Sequence, residues 1–424
     1  MMGLGRNKIP TFRTFRNKKF WKDGDLIIWI VPFLLVHLSC ILIASTQRNL
    51  GITEWYQHAI IAYIGSLIVY FLAQVPLQDL RKYIIYIYFF SIIALIYVNF
   101  SGTSALGAKR WLSFAGLYIQ PSEFTKLTLI LILASILDRK RFSDLSHLLK
   151  PILVSFFPWI LVFIQPDLGT SLVFGATLLG MLYWAGMPYE WAFIILAALV
   201  TGLIAYLYPF GLLIWIPIIV FLFYKSLPNQ RKLLTLFVVI FHSLIAKISP
   251  WFWENILRDY QKDRLILFLN PSKDPLGGGY HMLQSKIGIG SGGLLGSGLM
   301  QGQLTKLKFI PEQHTDFIFS ALGEETGFLG TLVVLFLFFI LIFRLIKIAI
   351  EARTDFESLI VIGIASMFMF QIMVNIFMTI GLGPVTGIPL PFMSYGRTAL
   401  FVNFIGLGFC LSVSRRGQSA RKKL

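Results

Sequence analysis

Charge is what this sequence has least of. Only 13% of its 424 residues are Asp, Glu, Lys or Arg, against roughly a quarter in ordinary soluble domains. A chain of this length would otherwise suggest about two or three soluble domains, but so few charges could not cover their apolar surface in water. Acidic residues are the scarcer sign, 20 against 37 Lys and Arg, for a net charge of +17. Cysteine is almost missing. Cys40 and Cys410 both lie in apolar runs, which excludes a disulfide framework and a thiolate metal site. Disorder is excluded from the other direction, because 56% of the residues are hydrophobic. A basic balance can serve nucleic acid, but it also marks membrane faces, and no nucleic-acid partner is expected. The chain reads as an integral membrane protein.

A helix that crosses a bilayer needs about 20 apolar residues, with ~17 as a lower limit. Candidate spans lie near 26–45, 58–75, 83–100, 123–138, 151–165, 170–187, 190–208, 210–225, 232–249, 325–344, 358–380 and 398–414. The expected fold class is an all-α polytopic membrane protein with about 12 transmembrane helices. The segments 123–138 and 151–165 carry Lys126 and Pro158, whose polar groups must face protein or water. The first span is longer than a signal-peptide core and lacks a small-x-small cleavage site, so a retained anchor is expected. Residues 1–25 form a basic cytoplasmic arm, 26–414 the membrane domain and 415–424 a basic cytoplasmic tail.

Sorting Lys and Arg between alternate loops sets the orientation. With the N-terminus inside, the inside segments hold 24 of them and the outside segments 11. Seven of those 11 fall in one long loop, 250–324, and long loops cross largely regardless of charge. Both termini are therefore expected in the cytoplasm and the 250–324 loop outside.

The outside segments are dense with polar motifs. They read GAKRWLSFAGLYIQPSEFTK before the fourth span, QPDLGTS before the sixth, and GPVTGIPLPFMSYGRT before the last. Ten glycines lie between Gly277 and Gly302. Such a loop either folds tightly on the membrane surface or brings amide groups to an anion. Gly288, Gly290 and Gly293 match GxGxxG formally, but no strand or βαβ unit surrounds them, so a dinucleotide site is rejected. Lys126 follows Glu123 by three residues and shares its helix face. The pair either closes a helix contact or presents a cation to an exterior cavity. Asp274, in NPSKDP, is a turn residue by type. Glu312, His314 and Asp316 resemble metal ligands by type, but capping of a helix that starts near Asp316 is the preferred reading. Arg258, Lys262 and Arg264 recur at near-helical spacing beside Trp251, Trp253 and Tyr260, as in an interfacial amphipathic helix whose cations are available to phosphate.

These motifs, taken together, resemble the SEDS family (shape, elongation, division and sporulation) of polytopic peptidoglycan glycosyltransferases. GAKRW (107–111), QPSEFTK (120–126), QPDLGTSLV (165–173), NPSKDPLGGGYHMLQSKIGIGSGG (270–293), PEQHTDFIFSALGEETGFLG (311–330) and GPVTGIPLPFMSYG (383–396) occur in family order. The KDPLGGGYH wording is more similar to the elongation than to the division branch. The resemblance implies polymerisation of lipid II into glycan strands at the outer face of the bacterial cytoplasmic membrane, during elongation and rod-shape maintenance. It implies Asp274 as the essential acid and Lys126 as its basic partner. A carboxylate can take the proton of the attacking sugar hydroxyl, and cations or amides must meet the departing pyrophosphate. Asp274 is thus expected as the base, with Lys126 and Arg110 at the pyrophosphate. A divalent cation, magnesium or manganese, bridging Asp274 to phosphate is the alternative role. Lys109, Glu123, Gln120, Gln284, Ser285, His314 and Ser394, inside the same motifs, are expected to contact substrate. Expected partners are lipid II and the growing lipid-linked glycan, a class B penicillin-binding transpeptidase, elongation-complex membrane proteins and the phospholipid bilayer.

Two departures from the family pattern stand out. The family resembles a ten-span plan, and the surplus here falls in 209–249, an apolar hairpin expected to be lipid-facing decoration. SYGRT carries Arg397 where the family usually has glycine; snorkelling is its preferred reading. The competing function is a flippase for lipid-linked precursor. Transporters bind near mid-bilayer, often between inverted repeats. No such repeat is visible, and the polar motifs gather outside. A scaffold without chemistry would need neither Lys126 nor Asp274.

Overall fold

The computed structural model describes residues 24–47, 54–105, 108–114, 117–138, 146–226, 231–270, 273–274, 278–307, 309–310 and 313–421. Most of the 1–25 arm, the end of the 415–424 tail, Glu312 and the side chain of Lys109 lie outside the described residues. The chain is helical, as expected. In order it forms α1 (Ile27–Gln47), α2 (Glu54–Leu72), α3 (Ile84–Ser101), β1 (Thr103–Ala105), β2 (Ala108–Phe114), β3 (Leu117–Ile119), α4 (Pro121–Leu137), α5 (Ser146–Ile164), α6 (Leu168–Trp184) and α7 (Tyr189–Leu207). It continues through α8 (Leu212–Ser226), α9 (Arg231–Asn255), α10 (Asp259–Leu269), α11 (Gly278–Ser291), α12 (Ile318–Ile350), α13 (Asp355–Ile380) and α14 (Arg397–Arg421). Each of the twelve expected spans falls on one of these helices. Nine helical segments among the described residues are long and apolar enough to cross a membrane, and Leu168–Trp184 and Pro209–Tyr224 are shorter apolar helices.

The centre is built from α4, α13 and α14. Helix α4 starts at Pro121, whose missing N–H costs nothing in a first turn. It packs against α3, α5, α6, α13 and α14, so its polar face meets protein rather than lipid. Helix α13 begins on Thr354, whose hydroxyl accepts from the Glu357 amide at 3.3 Å, and ends on Gly381 in the left-handed conformation.

Of the segments expected outside, one departs from the sequence reading and another takes the tightly folded one of its two alternatives. The loop before α4 is a small antiparallel meander, β1-β2-β3, pairing Ala105 with Ala108 and Phe114 with Leu117. The glycine-rich stretch is used for close backbone packing. A Cβ on Gly292 would lie 2.0 Å from the Gly323 carbonyl oxygen, and one on Gly296 would lie 2.2 Å from that of Glu325. Gly327, with φ 66° and ψ −164°, kinks α12 so that the Phe328 and Leu329 amides reach back to the Gly293 and Leu294 carbonyls. Glu324 and Glu325, both buried, accept from the amides of Leu304, Thr305 and Met300. These carboxylates stand in for the helical partners that the loop amides lack.

Helices α8 and α9 pack chiefly on α7 and on each other. Buried Thr201 joins the three: it receives the Trp215 indole at 2.9 Å and meets His242 Nδ1 at 2.7 Å. Leu213, Ile214, Phe221, Leu236, Phe237 and Ile240 point outward, as lipid-facing positions should.

Candidate functional site

Asp274 lines a cavity of about 300 Å³ between α10, α11 and the loop before α14. Its polar wall also contains Tyr260, Asp263, Arg264 and His281. The stretch expected as one amphipathic helix is divided, with Trp251 and Trp253 at the end of α9 and Tyr260, Lys262 and Arg264 on α10. The Gln261 side chain accepts from the Arg258 amide at 2.9 Å at the start of α10. Helix α10 does not simply lie on an interface. Tyr260 donates to the Pro166 carbonyl at 2.7 Å, and Arg264 donates to the Thr386 carbonyl at 2.9 Å. Both side chains therefore turn inward, and the Arg264 guanidinium lies 5.5 Å from the Tyr260 ring centroid. Burial pulls Arg264 below the ordinary guanidinium value, while Tyr260, Asp316 and Asp167 act in the opposite direction and Arg110 adds to the lowering. Burial likewise lowers the His281 pKa.

A second polar cluster adjoins the first through the Pro166 carbonyl. Arg110 on β2 donates to that same carbonyl and, at 3.1 Å, to the Gln165 carbonyl. Its guanidinium is 3.9 Å from Asp167. Asp167 caps α6 by accepting from the Thr170 amide at 3.2 Å, and it also receives Gln120 at 3.2 Å. Arg110 and Gln120, both expected at the substrate, are thus brought beside the Asp274 cavity. Asp167, Tyr260 and Asp316 are functional candidates that sequence reasoning did not single out for this place. The signal was present in QPDLGT and in the DYQKDR run, but the direction of the side chains was not.

Lys126 and Glu123 form an ion pair. The Lys126 ammonium is 2.8 Å from each Glu123 carboxylate oxygen, with the two side chains 2% and 4% exposed. The pair lies inside the α4 packing and does not line the Asp274 cavity. The remaining expected contacts divide by position. Gln284 is half-buried on α11, three residues past His281 and so on its face. Ser285 is buried and donates to the Thr379 carbonyl at 2.8 Å, which ties α11 to the end of α13. Ser394 accepts from the Leu390 amide at 2.7 Å and closes the turn before α14. His314 Nε2 meets Glu54 at 3.1 Å, next to the Tyr395 ring. Lys109 lies on β2, paired with Ser104.

Asp316 is not the helix cap. The N-cap of α12 is Phe317, with no side-chain hydrogen bond. Its carboxylate is instead beside Gly387 and within electrostatic reach of Arg264. Among the described residues no group of three or more His, Cys, Asp and Glu could hold a metal ion.

The sequence profile described as cell cycle protein, for FtsW, RodA and SpoVE, matches residues 25–212 and 210–419. The chain belongs to this family. Peptidoglycan glycosyltransferase MrdB of Escherichia coli K12 is 33% identical over 94% of this chain and 96% of its own length. Peptidoglycan glycosyltransferase RodA of Treponema pallidum is 31% identical over 93% and 98%. In structure, a chain from a peptidoglycan synthase complex that coordinates polymerization and crosslinking matches with a TM-score of 0.70 at 25% identity, covering 94% of this chain and 99% of that one. The rod shape determining protein RodA of Thermus thermophilus matches with a TM-score of 0.62 at 22% identity, over 93% and 98%, a likeness of fold.

Proposed function

We propose that this FtsW/RodA/SpoVE member is a peptidoglycan glycosyltransferase. It polymerises lipid II into glycan strands at the outer face of the cytoplasmic membrane, in elongation and rod-shape maintenance, with both termini in the cytoplasm. One observation carries the reading: Asp274, Arg264 and His281 share one cavity, with Arg110 on the adjoining Pro166 carbonyl. The acceptor's 4-hydroxyl attacks the anomeric carbon of the lipid-linked donor. The new C–O bond forms as the bond to the diphosphate breaks, and the Asp274 carboxylate takes the hydroxyl proton. Arg110 meets the departing diphosphate. Contact between Lys126 and the same diphosphate requires the Glu123 pair to separate. The strand product passes to a class B penicillin-binding transpeptidase.

A second role for Asp274 is favoured by Asp263 on the same wall. Magnesium characteristically takes one or two carboxylates together with substrate phosphates, and Asp274 with Asp263 fits that donor set. Such an ion would neutralise charge on the leaving diphosphate. Flipping of lipid-linked precursor is disfavoured by the exterior gathering of these groups.

The test is direct. Purified protein with its transpeptidase partner is given lipid II, and products are resolved on a gel. Polymer from wild type and none from Asp274→Ala, at equal expression, supports the reading. Translocation of lipid II in liposomes without polymer would replace it with the transporter.

A further inference from the structure

Helix α13 ends at Ile380, and Asn375 lies shortly before that end, roughly 7 Å back along the helix axis. Its side chain is wholly buried, and its amide nitrogen donates twice. One hydrogen goes to the Asp316 carbonyl at 2.9 Å and the other to the Ile388 carbonyl at 2.8 Å. Both partners are backbone oxygens, which only accept, so the amide fits only one way round. The two carbonyls belong to different segments, the loop before α12 and the loop before α14. Non-helical backbone beside a membrane helix is tolerated only where protein or water satisfies its polar groups. Asn375 does this for both loops at once.

These loops also hold Arg264. Thr386, just before Gly387 and Ile388, accepts from the Arg264 guanidinium at 2.9 Å. Gly387 has φ 75°, a conformation that suits glycine. A Cβ built there would lie 3.4 Å from the Asp316 carboxylate and 3.9 Å from the guanidinium, so both loops meet Arg264 at a single residue. One turn further along α13, the Thr379 carbonyl accepts from Ser285 and ties down α11, which carries His281. Asn375 itself does not line the Asp274 cavity. It can reach the chemistry only through the groups that it holds.

We propose that Asn375 is a positioning residue for the reaction: by fixing the Asp316 and Ile388 carbonyls it keeps Arg264 in place at the Asp274 cavity. This rests on the glycosyltransferase reading above. A preset cation beside the reacting groups acts where charge develops, so its displacement lowers the rate more than the affinity. A residue that served packing alone would disturb the bundle evenly.

The experiment compares wild type, Asn375→Leu and Asn375→Gln as full-length protein in nanodiscs, with thermal melting as the folding control. Leucine keeps the shape and removes both donors, whereas glutamine keeps them on a longer arm. The first readout is modification of Arg264 by phenylglyoxal, followed by mass spectrometry. Arg344, held by Asp25 near the far end of α12 from Asp316, is the internal reference. Asn375→Leu should speed modification of Arg264 about 10-fold and leave Arg344 unchanged, with Asn375→Gln in between. The second readout is lipid II polymerisation, where Asn375→Leu should lower kcat about 10- to 100-fold. KM should stay within about threefold of wild type, and Asn375→Gln should recover part of the rate. Equal Arg264 modification in wild type and a folded Asn375→Leu overturns the assignment, as does an equal rise at Arg344 or an unchanged kcat. Failure of both variants to fold also overturns it, because Asn375 would then serve the fold alone. The predicted modification pattern in a wild type that makes no polymer would keep the coupling of Asn375 to Arg264 and discard the glycosyltransferase reading.

Discussion

Lys126 and Glu123 meet at 2.8 Å inside the helix bundle, one turn apart on α4 and almost wholly withdrawn from solvent. Removal of one partner from a buried pair leaves an uncompensated charge, on the order of 3–5 kcal/mol, whereas apolar replacement of both is often neutral. Lys126→Met and Glu123→Leu alone should therefore melt early, and the double variant should recover wild-type melting. Polymerisation by the double variant should remain absent, since the diphosphate contact proposed for Lys126 is then lost. Recovery of both melting and polymer would show that Lys126 serves only the packing of α4.

The glycine-rich loop makes a separate prediction. Gly292→Ala would drive a methyl group to 2.0 Å from a backbone oxygen, and a backbone atom cannot step aside like a side chain. Destabilisation of about 1–3 kcal/mol is expected, read as a lower melting temperature in detergent. Normal melting with weakened binding of diphosphate lipid would restore the anion-cradle reading of these glycines.

The third prediction concerns pH. Burial lowers the folded pKa of His281 below its unfolded value of about 6.5. The unfolded chain then binds more protons as pH falls, so the stability that His281 contributes is complete above about 6.5 and is lost as pH drops toward the folded value. Wild type should lose melting temperature between about pH 7 and pH 5 more steeply than His281→Gln. Parallel profiles would contradict a lowered His281 pKa.

Much of this architecture is legible in the sequence, and the reason is physical. Long apolar runs mark spans because lipid cannot satisfy polar backbone, and all twelve runs fall on helices. The Glu123–Lys126 pair follows from helical spacing alone. What sequence spacing does not carry is direction. Arg264 reads as one of three interfacial cations, yet its hydrogen bond to Thr386, 122 residues away, turns it into the site. Asp316 reads as a cap, and the helix instead begins one residue later without it. The glycines at 292 and 296 reveal their purpose only when the kink at Gly327 brings α12 against them. The meander over 103–119 was hidden for a similar reason, since its strands are short and pair only locally.

The central claim is that the Asp274 carboxylate performs the chemistry. The most direct measurement compares lipid II polymerisation by wild type, Asp274→Asn and Asp274→Ala at matched folding and matched binding of the transpeptidase partner. Polymer from wild type, with none from either variant, is the predicted result. Polymer from Asp274→Ala at the wild-type rate would contradict it.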